Sequence, residues 1–298
     1  MALDAQSSIA IIGTGAAGGV LARSIAGCNR PLACISSRSA DAPLARSLQV
    51  PCVDLVQAST SDVLILCVPD DAIEQVCALL QVGPGQLVVH CSGASTCAPL
   101  DSAREKGAST ASLHPLMVLN QADTNPHILV GATAAIDGDE ASRAWLHALA
   151  EDLGMHPVFI APEHRTLYHA SAALVGGLMS GLLADAATVW TQLGHDPATG
   201  ARALGPMVRR AGDMLSERAG GGVVMGPVAR GDVETIRAHV VALRSGAPHL
   251  VRLHRELVMA CLRQSDLPQA VQASIKSALE GPPSAASDTT SSRTGAST

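Results

Sequence analysis

The chain has 298 residues, of which 47% are hydrophobic and 15% charged, with a formal net charge of −6. That length suits two domains with substantial cores. The acidic balance, with no basic face and only Trp145, Phe159, Tyr168 and Trp190 as aromatics, excludes a nucleic-acid binder that works by charge and stacking.

The first element is the branched apolar run Ile9 to Ile12, which reads as a buried parallel strand. Gly13, Gly15 and Gly18 follow at G-x-G-x-x-G spacing, and an apolar helical pattern runs from Ala16 to Ala26. In this context the glycines have separate uses: a tight turn at Gly13, backbone approach to a pyrophosphate at Gly15, and close helix–sheet packing at Gly18. The N–H groups of the first helical turn then face the phosphates. Gly13, Thr14, Gly15, Ala16, Ala17 and Gly18 are therefore the expected phosphate-binding loop.

Pro31 to Ser37 reads as the second strand, ending in Ser36, Ser37 and Arg38. An acidic residue here would bind the ribose hydroxyl of NAD. An arginine suits a 2′-phosphate, so NADP is expected over NAD. Val63 to Val68 is the next buried strand, followed by Pro69 and Asp70, with Asp70 or Asp71 expected to cap a helix at 72–80. Gln86 to Ser92 is another strand, leading into Ser92-Gly93-Ala94. Val68, Pro69, Asp70, Ser92 and Gly93 stand at strand ends, where such sheets meet their cofactor. A helix is expected over 98–106, a short strand over 110–114 broken by Pro115, a far-edge strand over 128–137, a helix over 140–153 and a last strand over 156–161.

From Pro162 the alternation stops. Residues 163–193 read as one long helix carrying Gly176, Gly177 and Gly181, which suggest close approach by a neighbouring helix or ligand. The apolar stretch 170–184 is short of the ~20 residues needed to span a bilayer and reads as a helix buried in a soluble core. Further helices are expected from Pro197, broken or kinked at Pro206, then over 233–244 capped by Asp232, over 248–262 and over 268–279. Gly220 to Gly222 reads as a loop, and 281–298 as a disordered polar tail. The expected division is a doubly wound α/β Rossmann domain at 1–162, an all-helical domain at 163–280, and the tail.

The eight cysteines form no C-x-x-C pair or zinc spacing, and no signal peptide is recognised, so a cytoplasmic protein with reduced buried thiols and no metal site is expected. No nucleophile elbow, Walker loop or zinc H-E-x-x-H motif is present.

Several motifs recur together: G-T-G-A-A-G at 13–18, I-S-S-R-S at 35–39, V-P-D-D at 68–71, H-C-S-G-A at 90–94, L-H-P-L at 113–116, Y-H-A at 168–170 and G-P-V-A-R-G-D at 226–232. In these the chain resembles a bacterial Rossmann-like family with a C-terminal helical domain of unknown function. That family lies within the group of 6-phosphogluconate, prephenate, ketopantoate and pyrroline-carboxylate dehydrogenases and reductases. The resemblance implies NAD(P) binding and dimerisation through the helical domain, without naming a substrate.

Hydride transfer needs a proton-transferring group. Several relatives use a helix lysine followed four residues on by asparagine; the resemblance sets Arg165 and His169 against that pair, the lysines here are Lys106 and Lys276, and the asparagine often found near Gly177 is absent. His114 and His169 are accordingly the catalytic candidates. His90 reads as a packed strand residue. Tyr168, Arg165 and Arg230 are the substrate-binding candidates. The expectation is an NADP-dependent oxidoreductase acting on a small polar oxo, hydroxy or imino acid as a homodimer, with no nucleic-acid or membrane partner. The alternative is a non-catalytic NADP(H)-binding regulatory or scaffold protein.

Overall fold

The structure, a computed structural model, describes residues 3–28, 30–39, 42–217 and 224–280. The expected loop at Gly220 to Gly222 and the expected tail at 281–298 lie outside them. The chain divides into two compact units, Met1–Met179 and Ser180–Thr298.

The first unit is built on an eight-stranded sheet: β1 (Ile9–Ile12), β2 (Leu32–Ser36), β3 (Cys52–Val53), β4 (Val63–Leu66), β5 (Leu87–His90), β6 (Ser109–Leu116), β7 (Thr133–Gly138) and β8 (His156–Phe159). Their order is β3-β2-β1-β4-β5-β6-β7-β8. All neighbours pair in parallel except β6 and β7. The apolar runs of β1, β4 and β5 are buried throughout because helices cover both faces of the sheet. Ile9, Ile11, Ile35, Val63, Ile65 and Val89 pack into one core, and Ala10, Ile12, Leu64, Leu66 and Val88 into the other.

Several elements differ from expectation. β3 and the short helices Pro43–Leu48 and Leu55–Ala58, of two, six and four residues, are too short to show a period in the sequence. Pro115 does not break β6: β5 pairs only as far as Ser112, so Pro115 has β7 on one side and an open edge on the other. β7 starts at Thr133 rather than 128, and β8, not β7, is the outer strand. Asp70 does not cap the helix Ile73–Leu79, which follows a 3-10 turn at Asp70–Ala72.

The long helix expected over 163–193 is divided. A 3-10 turn Pro162–His164 leads into the helix Arg165–Val175; Gly176 leaves the helical region at φ −92°, ψ −98°, and Gly177–Thr188 resumes. The apolar stretch is not core. Over Pro162–Leu193 the most apolar window is only 6% buried, and Leu167, Leu174, Val175 and Leu178 are exposed. By length and composition alone this segment could cross a membrane. Among the described residues a Cβ at Gly177 or Gly181 would meet nothing within 4 Å, whereas at Gly176 it would reach Ala172 O and Val118.

The second unit is helical. Pro197–Glu217 is continuous through Pro206, so of the expected break or kink the break does not occur. Asp232 caps Val233–Gly246 by accepting from Thr235 N at 3.1 Å. With Leu250–Arg263 and Gln269–Glu280 it encloses a small core of Val228, Ile236, Val240, Val258, Leu262, Ile275 and Leu279.

Candidate active site

Parallel register brings the ends of β1, β2, β4 and β5 into one row, with Ile12 beside Ser36 and Leu66, and Leu66 beside His90. Every chain segment leaving this row carries expected site residues.

Gly13 has φ +102°, a conformation reserved for glycine, and a Cβ there would lie 2.4 Å from Cys67 O. At Gly18 a Cβ would lie 2.0 Å from Gly13 O, so the helix start rests directly on the turn. Over Gly15 there is open space. Gly15 is the N-cap of Ala16–Gly27, whose first turn holds no acidic residue and no side-chain cap. A cradle of free N–H groups, closed below by two obligatory glycines and open above the third, fits a pyrophosphate. Ala16 and Ala17 are half-buried along its wall. The Thr14 and Ser37 hydroxyls lie 3.4 Å apart, joining the loop to the end of β2. Ser36 is buried, its carbonyl accepting from Gly13 N, while Arg38 is exposed and free to meet a phosphate.

The second part of the site is the turn after β5. All the polar groups of Ser92 are engaged. Its N–H donates to His90 Nδ1 at 3.1 Å, its hydroxyl donates to Asp70 Oδ2 at 2.6 Å and accepts from Ser95 N, and its carbonyl accepts from Arg165 Nη2 at 2.8 Å. Asp70 thus secures this turn instead of capping a helix. Because His90 Nδ1 accepts, the ring proton sits on Nε2, which donates to Thr96 O at 2.8 Å. Burial, the largest influence, pushes His90 down and keeps it neutral.

Gly93, next in line, is the meeting point. A Cβ there would lie 2.6 Å from His169 Cδ2 and 2.8 Å from His114 Nε2. His114 comes from β6, two residues beyond the partner of His90; Tyr168 and His169 come from the helix Arg165–Val175. His114 Nδ1 lies 2.9 Å from the Tyr168 hydroxyl, and the His114 and His169 rings meet edge to face at 5.9 Å. Burial pushes His114 down to about 4, reinforced by Arg165 and His169 and opposed by Asp70. Burial also raises Tyr168, which stays protonated. At neutral pH the pair is therefore an uncharged imidazole sharing a proton with a phenol.

The structure brings together His114, Tyr168, His169, Gly93 and Ser92. Arg165 is present but fully buried beneath the turn, not lining a cleft. Arg230 belongs to the second unit, following the short helix Gly226–Ala229. Val68 is half-buried and Pro69 exposed at the end of β4. Two contributors escaped sequence reading: His90, taken as packing, orients Ser92, and Asp137 lends its charge to Arg165. The row His90–Ser112–Asp137 exists only through strand register. Lys106 donates to Ala78 O and Leu80 O and takes no part in the site.

Residues 8–93 match the family described as NADP oxidoreductase, coenzyme F420-dependent, and residues 132–261 match a domain of unknown function, DUF2520. No curated protein matches. Among solved structures, the chain is similar to protein BF3122 from Bacteroides fragilis, at 17% identity and a TM-score of 0.68, covering 86% of this chain and 98% of that one. Protein TM1727 from Thermotoga maritima is 20% identical with a TM-score of 0.65, covering 90% and 98%. A pyrroline-5-carboxylate reductase from Coxiella burnetii is 18% identical with a TM-score of 0.57, covering 92% and 98%. These likenesses establish the fold. The chain thus carries two matched regions, 8–93 of the NADP oxidoreductase, coenzyme F420-dependent, type and 132–261 of the DUF2520 type, on a Rossmann-like fold with a mostly helical C-terminal region.

Proposed function

We propose that the protein is an NADP-dependent oxidoreductase that transfers a hydride to or from a small polar oxo, hydroxy or imino acid. The observation that carries this is the convergence of His114, Tyr168 and His169 on Gly93, at the same sheet edge as the Gly13–Gly18 loop. The first matched family's description and the likeness to a pyrroline-5-carboxylate reductase support the cofactor and the C=O or C=N chemistry.

The cofactor's phosphates fit the loop 13–18, and its 2′-phosphate fits Ser37 and Arg38. Bound NADPH supplies a hydride; the proton is left to the chain. A neutral imidazole both gives and takes a proton. With Tyr168 O–H donating to His114 Nδ1, Nε2 carries the proton toward Gly93; with Nδ1 donating, Nε2 accepts. Giving up the Nε2 proton draws the Tyr168 proton to Nδ1 and leaves a phenolate, which a proton from solvent neutralises before the next turnover, Tyr168 being half-buried rather than enclosed. Ser92 and Gly93 form the floor against which substrate is held, and Tyr168 and His169 form a wall. The eight free thiols suit work in the reducing cytoplasm. A screen of oxo and imino acids for NADPH oxidation tests the reading, and loss of turnover in His114→Gln ties it to this site.

A second reading, a non-catalytic NADP(H)-binding regulator, is favoured by one observation: the lysine of related enzymes is missing and Lys106 is committed elsewhere. Tight NADPH binding with no turnover of any substrate in the screen selects it.

A further inference from the structure

Arg165, Tyr168 and His169 share one face of the helix Arg165–Val175, being three and four residues apart. Tyr168 and His169 reach His114, whereas Arg165 turns inward. Its side chain is 0% exposed and is the largest fully buried one among the described residues. Only Nη2 has an acceptor, the Ser92 carbonyl; Nε and Nη1 are buried with no acceptor among the described residues. Asp137 lends it negative charge without a direct bond. A guanidinium buried this sparsely costs stability, and an apolar side chain of similar volume would serve packing better. Its retention therefore calls for another use, and its one strong bond ends on the turn that carries Gly93.

We propose that Arg165 is the positioning residue of the site: anchored on the Ser92 carbonyl, its buried guanidinium holds the Gly93 turn against His114 and seats Tyr168 and His169, one helical turn further on, around the same imidazole. The anchor is specific in geometry. The Ser92 carbonyl is the remaining free handle on a residue whose N–H and hydroxyl are already tied to His90 and Asp70. Losing it frees one side of the turn, and the contacts at Gly93 leave no slack for an altered approach by either histidine. The groups that face His114 are Arg165, Tyr168 and His169 from the helix, Asp70 from the segment after β4, and His90 from β5. Of these, Arg165 is the one fixed cation, and it adds to burial, the larger influence, in disfavouring the charged imidazole.

This rests on His114 being the proton-transferring group. The test is a nitrogen-edited NMR titration of the full-length protein, with the His114 signals assigned by their loss in His114→Gln. Wild type, Arg165→Met and Arg165→Lys are compared for the His114 titration midpoint and for nuclear Overhauser contacts from Gly93 to His114 and His169. In Arg165→Met the midpoint is expected to rise, burial alone then holding it down, and the Gly93 contacts to weaken. In Arg165→Lys, which keeps the charge but not the fork, the midpoint is expected to stay near wild type while the contacts still weaken. Wild-type contacts in either variant overturn the proposal, as does an unmoved midpoint in Arg165→Met. If Arg165→Met does not fold, the contacts in Arg165→Lys decide alone. The readouts need no turnover, so they succeed even with an inert protein, and the substrate screen judges the oxidoreductase reading separately.

Discussion

The hydroxyl of Tyr168 lies 2.9 Å from Nδ1 of His114, although 54 residues separate them. One side chain comes from β6, past the point where its pairing with β5 stops, and the other from the first turn of a helix, and both are within the first unit. This bond turns a lone strand histidine into a proton-sharing pair. His114→Gln keeps a polar side chain but cannot titrate. Turnover of the true substrate is expected to fall by about 10²-fold or more, with NADPH affinity retained, because the phosphates bind at the glycine loop. Steady-state kinetics beside calorimetric titration checks both halves.

The pH dependence has a definite sign. His114 is lowered from 6.5 to about 4 in the fold, so across that interval the unfolded chain binds a proton that the native protein refuses. Its contribution to stability is complete above the ordinary histidine value and is lost as the pH falls toward 4. His114→Gln removes this contribution. Denaturant titrations through that window are expected to show a shallower acid-side decline for the variant than for wild type.

Gly93 has no room for a methyl group. Gly93→Ala is expected to destabilise by roughly 1–3 kcal/mol, the usual cost of overpacking, and to disturb both histidine rings. Thermal unfolding measures the first effect, and altered His114 and His169 resonances report the second. An unchanged melting temperature would mean that the turn yields freely.

Arg38 is exposed at the end of β2, beside Ser37. Arg38→Ala is expected to remove a charge-assisted phosphate bond worth roughly 1.5–3 kcal/mol, about tenfold or more in NADPH affinity. NADH affinity is expected to change little. Equal losses for both cofactors in calorimetry would exclude a 2′-phosphate role.

Leu167, Leu174, Val175 and Leu178 place an apolar stretch on the surface of a single chain. A homodimer covering this stretch is expected at micromolar concentration, and Leu174→Glu is expected to weaken it, as read by light scattering. A monodisperse monomer counts against it; protein recovered only with detergent or vesicles points instead to a membrane.

The sequence by itself determined the glycine loop between the first strand and the first helix. Strand, G-x-G-x-x-G loop and helix are contiguous; the positive φ at Gly13 and the contact of Gly18 with Gly13 O are local, although Cys67 O, from the neighbouring strand's end, also crowds Gly13. It also located β1, β4 and β5, because strands buried on both faces must be continuously apolar. The tertiary structure decided the rest. Asp70 was read as a helix cap because capping is the local use for an aspartate after proline, yet its partner, Ser92, lies on the neighbouring strand. His90 was read as packing and Arg165 as a substrate ligand, but both are hydrogen-bonded to Ser92 from opposite sides. Pro115 was read as a break and Pro206 as a break or kink, since the local rule for proline is strong; an open strand edge accommodates the first. The helix at 163–193 was read as core from its composition, which records apolar surface but not what covers it. Periodicity and loop chemistry are properties of neighbours in sequence. A proton-sharing pair, an anchored turn and the exposure of a helix are properties of neighbours in space, and strand register creates those only once the sheet has formed.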